Sequence, residues 1–152
     1  MKYTAILFTA LFLAACGGQS GANGQVGGKG DISQNRTTAF KSFMPTFSSM
    51  GKVVKGEDAY EVEKFKTLAS SFQDEARAPF DYFQNDPKGN GDALPAIWEK
   101  PDEFKAEQDK FLAAVDKLNA AAQSGDLAQI KAAYGEAGAS CKSCHDAYRA
   151  PK

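Results

Sequence analysis

Close to the C-terminal end of the chain, Cys141-Lys142-Ser143-Cys144-His145 sets two thiols and the only imidazole of the sequence within about one helical turn. On a helix Cys141 and Cys144 lie three residues apart and Cys141 and His145 four apart, so all three side chains emerge on one side. Two thiols at this spacing can form thioethers to the two vinyl groups of a porphyrin, and the adjacent imidazole is then placed to coordinate the iron as its proximal ligand. C-x-x-C-H is the attachment signature of a c-type haem. Three other uses compete. A zinc site needs about four ligands, and the chain adds only Cys16. A redox dithiol belongs at a strand-to-helix turn in a βαβ context, which this sequence lacks, and a simple disulfide leaves the histidine unexplained. The expected cofactor is one covalently attached haem c, with His145 as the metal ligand.

These residues need helices to hold them, and helical spacing runs through the chain from Ile32 onward. Phe40, Phe43, Met44, Phe47 and Met50 form a first stripe, with Gly51 and Gly56 marking its end and Pro45 predicting a kink within it. Val62, Phe65, Leu68, Ala69, Phe72 and Ala76 form a second, followed by Pro79, Phe80 and Phe83. It stops before Asn85-Asp86-Pro87-Lys88-Gly89-Asn90-Gly91, a stretch dense in breakers that reads as a loop. Pro95 and Pro101 bracket the next residues, and Asp102 is the expected N-cap of a third helix carrying Phe104, Phe111, Val115, Leu118 and Ala122. Ser124-Gly125 then breaks the chain, and Asp126 is the expected cap of a fourth helix that carries Leu127, Ile130, Ala133, Tyr134 and Ala137 up to the two cysteines. No segment sustains period-two alternation. The expected fold is all-α, an antiparallel four-helix bundle over residues 32–152. Within the fourth helix, Ala132 to Ser140 is nearly all small residues, suited to close packing against a helix or a cofactor.

Composition narrows the partners. The chain has 152 residues with 18 basic and 19 acidic side chains, which makes one domain with no electrostatic footprint for nucleic acid. With 43% hydrophobic residues, 11 Phe, 5 Tyr and one Trp, it has the material for a core.

At the other end, residues 1–15 open with Lys2, continue through an apolar run from Thr4 to Leu13 and close on Ala14-Ala15, the layout of an export signal. That run is too short to span a bilayer, which takes about 20 apolar residues. Leu13-Ala14-Ala15-Cys16-Gly17 resembles the lipobox of bacterial lipoproteins, which implies lipidation of Cys16 and a mature chain starting there. Residues 16–31 then read as a flexible tether, since seven of the fourteen residues from Gly17 to Gly30 are glycine. Loss of Lys2 leaves 17 basic against 19 acidic side chains, so the lipid and not charge would hold the protein to a membrane. The expected location is the bacterial envelope, facing the periplasm and anchored in the outer membrane.

A C-x-x-C-H at the very end of a four-helix chain resembles the cytochrome c′ family. The resemblance is carried by Cys141 to Arg149, by Gly91-Asp92-Ala93-Leu94-Pro95-Ala96-Ile97-Trp98, and by Arg36 followed four residues later by Phe40. It implies that Arg36 and Thr37 lie beside the haem propionates, that Asp92 and Ala93 line the haem edge, that Phe40 covers the distal iron face and that Arg149 sits near the proximal face. It also implies a homodimer, for which Phe-rich helices one and two are the candidate surface. A guanidinium suits propionate anions.

Phenylalanine cannot ligate iron. A five-coordinate haem under an apolar lid favours neutral diatomics, nitric oxide or carbon monoxide, over polarised bound oxygen. The expected function is gas binding and protection against nitric oxide, with electron exchange through a donor that the sequence does not identify. No acid or base is expected at the distal face, so the chain reads as a binding protein and not an enzyme. The alternative is a six-coordinate His/Met electron carrier in which Met44, one turn from Phe40, or Met50 further along, reaches the iron.

Overall fold

The computed structural model describes residues 28–151, so the export signal, Cys16 and most of the glycine-rich tether lie outside the described residues. The helices are α1 (Asp31–Ser42), α2 (Met44–Lys55), α3 (Val62–Glu75), the short α4 (Ala96–Glu99), α5 (Pro101–Ser124) and α6 (Leu127–Tyr148), with a 3-10 turn at Ala78–Tyr82. The fold is all-α. α1 and α2 together form one limb of an antiparallel four-helix bundle, and α3, α5 and α6 form the other three. Two isolated bridges, Lys29 with Asn90 and Ala93 with Arg149, are the only β-type pairing among the described residues.

The first limb breaks where proline chemistry requires it. Pro45 offers no N–H to the carbonyl of Lys41 four residues back, and that carbonyl accepts from Phe43 N–H instead. Phe43 closes α1 and opens α2. Two expectations about helix ends are corrected. Of the two glycines expected at the end of the first limb, Gly56 does end it, as the C-cap at φ 78°, whereas Gly51 lies inside the helix, which runs to Lys55. Position 51 has no room for a side chain because α6 approaches it there: a Cβ would overlap Tyr134 Oη and lie 3.2 Å from Cζ. Asp102 is not the N-cap of α5. Pro101, whose missing N–H costs nothing at a first helical position, starts the helix, and Asp102 sits with Glu103 in the first turn against the positive end of the helix dipole. Asp126 does cap α6, accepting from Ala128 N at 2.8 Å and Gln129 N at 3.2 Å.

The stripes meet in one main core. Met50, Phe65, Phe72, Val115, Leu118 and Ile130 are all buried there, each contributing about 1.5–3 kcal/mol relative to an exposed position. α5 packs along both α3 and α6, α2 along α3 and α6, and α1 along the 3-10 turn. A second, smaller cluster of Ile97, Phe104 and Tyr148 lies at the end of the bundle where α5 starts and α6 finishes. Phe80 packs against both clusters. Met44 and Val62 are the exposed large hydrophobics among the described residues.

Gly28 to Asp31, assigned to the tether by composition, belong to the folded part. Gly91 N–H donates to Gly28 O at 2.7 Å and Gly30 N–H to Gly89 O at 3.1 Å. No helix among the described residues is long and apolar enough to cross a membrane.

Candidate haem site

Cys141 and Cys144 occupy the last two turns of α6, where the main core gives way to the smaller cluster. Cys141 packs against the main core and Cys144 against the cluster of Ile97, Phe104 and Tyr148. Burial pushes both thiols up, Cys144 to about 11 with the carboxylate of Glu107 and the Cys141 thiol adding to the effect. Both therefore stay protonated at neutral pH. That is the reverse of a redox dithiol, which needs a stabilised thiolate, and no group of three or more His, Cys, Asp or Glu among the described residues could hold a metal ion. His145 follows on the exposed side of the helix, and its carbonyl accepts Arg149 N–H at 3.1 Å. Ser143 Oγ donates to Glu107 Oε2 at 3.2 Å, fixing the residues between the cysteines to α5.

A wall of aromatic rings lies at the same end of the bundle. Phe40 of α1 makes edge-to-face contacts with Phe43, Phe80 and Phe83, with centroids 5.9, 6.1 and 6.2 Å away. Phe83 continues to Phe104 at 4.7 Å, and Phe104 to Tyr148 at 5.2 Å. Phe40 is half-buried, and every ring around it is apolar.

Arg36, one turn before Phe40, is only 5% exposed. Its Nη1 donates to Tyr82 O at 2.8 Å and its Nη2 to Asn90 O at 2.7 Å, and the guanidinium carbon lies 4.9 Å from the centre of the Phe83 ring. Asn90 O also accepts Ala93 N–H at 3.2 Å, so one carbonyl joins Arg36 to the loop of Asp92 and Ala93. That loop holds the end of α6: Ala93 pairs with Arg149, Leu94 N–H donates to Tyr148 O at 2.9 Å, and Asp92 faces Arg149 across 3.5 Å. Thr37 turns its hydroxyl to Ser33 O within α1 at 2.9 Å. Arg36, Phe40, Asp92, Ala93 and Arg149 thus share the end of the bundle that carries Cys141, Cys144 and His145.

Met44 is not part of this arrangement. It is 50% exposed, and Met50 is sealed in the core of the opposite half of the limb. Pro45 breaks the limb at Phe43, and beyond the break Met44 faces solvent.

Several residues of this end were not singled out by sequence. Phe80 and Phe83 read only as the tail of a helical stripe, and Phe104 as core. Asp86 read as part of a polar loop, yet it is 2% exposed and accepts Ser33 N–H at 2.9 Å and Lys88 N–H at 3.0 Å. Only its contacts 53 residues back in sequence reveal its role.

A family model described as cytochrome c′ matches residues 31–149. The chain belongs to the cytochrome c′ family. It is 38% identical over 122 residues to cytochrome c′ of Alcaligenes xylosoxydans xylosoxydans, covering 80% of this chain and 95% of that one. Against cytochrome c′ of Rubrivivax gelatinosus it is also 38% identical over 122 residues, covering 79% and 95%. Cytochrome c-556 of Agrobacterium tumefaciens is 31% identical over 119 residues, covering 78% and 97%. Among solved structures, a nitric oxide complex of a variant of cytochrome c prime from Alcaligenes xylosoxidans superposes with a TM-score of 0.76 at 38% identity, covering 80% of this chain and 95% of that one. A carbon monoxide complex of another variant gives the same values.

Cytochrome c′ proteins carry a single covalently attached haem c, and that is the cofactor of this chain. The donor set suits it. Two neutral thiols lie three residues apart at the edge of an aromatic wall, an imidazole follows directly, and a buried guanidinium lies at the same end for an anionic cofactor.

Proposed function

We propose that this cytochrome c′ binds nitric oxide or carbon monoxide at five-coordinate iron in the bacterial envelope and protects the cell by sequestering nitric oxide. Cys141 and Cys144 hold the cofactor as thioethers, and His145 is the proximal ligand. When bound, the haem supplies an iron that takes a small diatomic ligand and exchanges one electron.

The remaining work falls to the protein. Phe40 covers the sixth position, and the rings of Phe43, Phe80 and Phe83 hold it there. They supply no hydrogen-bond donor to a polarised ligand. Arg36 anchors one propionate with the N–H groups that its two carbonyl partners leave over, a guanidinium having five in all. Asp92, Ala93 and Thr37 flank the cofactor edge, and Arg149, turned toward Asp92, closes the proximal side. Cys16 carries the lipid, so the protein works at a membrane surface, and an external reductant sets its oxidation state.

The observation that carries this reading is the pairing of a ring-locked Phe40 with a solvent-facing Met44: the first limb offers the iron an aromatic face and no ligand. Nitric oxide and carbon monoxide complexes of similar proteins support the choice of ligand. Ferric and ferrous absorption spectra, with and without nitric oxide, test it. A high-spin spectrum that changes on adding the gas is expected. A low-spin ferric spectrum with a methionine-to-iron charge-transfer band overturns it, and so does a mature protein with no mass increment on the Cys141–His145 peptide.

A further inference from the structure

Loop 85–94 contains Asn90-Gly91, a pair that the turn itself requires. Asn90 is 3% exposed, and its amide ties the loop together: Oδ1 accepts Asp86 N–H at 2.8 Å and Nδ2 donates to Asn85 Oδ1 at 2.7 Å. Gly91 has φ 62°, a backbone conformation that favours glycine. The same pair carries a chemical liability. Because glycine has no side chain, its backbone nitrogen reaches the side-chain amide carbon of a preceding asparagine with the least hindrance, and asparagine is thermolabile. A second such pair, Asn23-Gly24, lies outside the described residues.

In the folded loop the reaction is blocked at each atom it needs. The attacking nitrogen must give up its proton, and Gly91 N–H is donated at 2.7 Å to Gly28 O. The Asn90 side chain must swing toward that nitrogen, and both ends of its amide are held. Of these restraints the contact with Gly28 is the weakest. It rests on a bridge between Lys29 and Asn90 and on a further hydrogen bond from Gly30 N–H to Gly89 O at 3.1 Å, and Gly28 and Lys29 are themselves exposed. A segment with few buried contacts and solvent-exposed backbone hydrogen bonds opens locally before the rest of a fold does.

We propose that Asn90 is a deamidation site latched shut by residues 28–30, and that opening of this latch leads to a one-way change at the end of the bundle that carries Arg36 and the cysteines. Gly91 N, on losing its proton, attacks Asn90 Cγ. The N–Cγ bond forms, the Cγ–Nδ2 bond breaks and the amide nitrogen leaves with that proton as ammonia, which gives a five-membered succinimide. Water then opens the ring at either carbonyl and leaves aspartate or isoaspartate at position 90, with no oxidant or reductant consumed. Either product places a second carboxylate on the loop that already buries that of Asp86, and removes the amide donor that Asn85 Oδ1 accepts. Isoaspartate also lengthens the backbone and displaces the Asn90 carbonyl, which accepts from Arg36 Nη2 at 2.7 Å and from Ala93 N–H at 3.2 Å. The hold on Arg36 is loosened, and the latch does not re-form in register.

The test follows the peptide containing Asn90 by mass spectrometry, separately from the one containing Asn23, while the full-length, haem-loaded protein is incubated at mildly alkaline pH. The native chain when folded is compared with the same chain unfolded in urea and with Gly89→Ala, whose added Cβ would lie 2.4 Å from Gly28 O and so displaces the latch. Deamidation of Asn90 is expected to be at least roughly tenfold slower in the folded native chain than in urea, the equivalent of about 1.4 kcal/mol of opening. A Gly89→Ala chain shown to be folded by circular dichroism and its haem spectrum is expected to recover most of that factor. Equal rates folded and unfolded overturn the proposal, as does an Asn90 that stays intact in urea or a folded Gly89→Ala chain that reacts no faster than the native one. Hydrogen exchange at Gly91 N–H supplies an arm that needs no variant: in urea below the unfolding transition, deamidation of the native chain is expected to rise in step with exchange at that amide. A deamidation rate that stays flat while exchange rises overturns the proposal. The deamidated protein, once separated, is expected to melt below the unmodified one, and equal melting overturns the loosening of the Arg36 end.

Discussion

The Asp86 carboxylate accepts the backbone N–H of Ser33 at 2.9 Å and so caps, from a loop 53 residues away, the helix that carries Arg36 and Phe40. The N-cap position itself is Gly30, which has no side chain to offer, and a Cβ there would overlap the Asp86 carboxylate. The cap thus locks loop 85–94 to α1. The backbone hydrogen bonds from Ser33 and then those from Lys88 and Ile32, opposed by burial and helped by Arg36, hold the Asp86 pKa below its ordinary value.

A depressed folded-state pKa means that this contribution is complete above the unfolded carboxylate value, about 3.9, and is lost as pH falls through the lower folded value. Asp86→Asn is expected to lower the melting temperature by several degrees at pH 7. The gap to the native protein is expected to narrow below about pH 4. Thermal unfolding followed by circular dichroism across that range checks it, and a gap that does not change with pH would contradict the assignment.

Two glycines of similar helical setting are expected to respond in opposite directions. Nothing lies within 4 Å of a Cβ added at Gly135, so Gly135→Ala is expected to stabilise by about 0.5–1 kcal/mol, the ordinary helix gain. At Gly51 the added methyl meets Tyr134, which is stacked on Phe47 at 4.4 Å and donates to Phe47 O at 3.2 Å. Gly51→Ala is expected to destabilise by about 1–3 kcal/mol through overpacking, and less so in a Tyr134→Phe background. Urea unfolding midpoints decide both.

On the proposed function, Phe40→Ala is expected to open the sixth position of the iron. Carbon monoxide association is expected to accelerate by roughly tenfold or more, the equivalent of about 1.4 kcal/mol, as measured by flash photolysis. Because Phe40 is half-buried, the loss of stability is expected to stay below the about 3–5 kcal/mol typical of a fully buried ring.

Met44→Leu is the complementary control. With Met44 exposed to solvent, the ferric spectrum and the carbon monoxide affinity are expected to stay as they are, and stability to change by no more than about 0.5 kcal/mol. A spectral change would return the thioether to the list of ligands.

The parts of this molecule that sequence made legible are those encoded locally. Cys141, Cys144 and His145 share one turn, and Asp126 caps a helix beginning at the next residue, so spacing alone exposes them. Pro45 likewise announces its break. Asp102 was misread because Pro101 beside it competes for the same helix start and prevails. Asp86, Phe80 and Phe83 were not legible as parts of the site. Their partners lie on α1, some 40 to 50 residues earlier, and nothing in a polar loop or in the tail of an apolar stripe says which distant helix will cover it. Arg36 and Phe40 were singled out only because a family pattern had already drawn them together.

Loop 85–94 grips both extremities of the folded chain, through Gly91 N–H on Gly28 O at 2.7 Å and Ala150 N–H on Asp92 O at 2.7 Å. The connectivity is therefore almost that of a closed ring, with head and tail meeting beside the cofactor. A reporter fused to the tail will crowd the haem edge, whereas the remote corner between Gly56 and Tyr60 tolerates insertion. Joining the two extremities by a short peptide and cutting the ring at that corner leaves every contact of the site within an unbroken stretch of backbone.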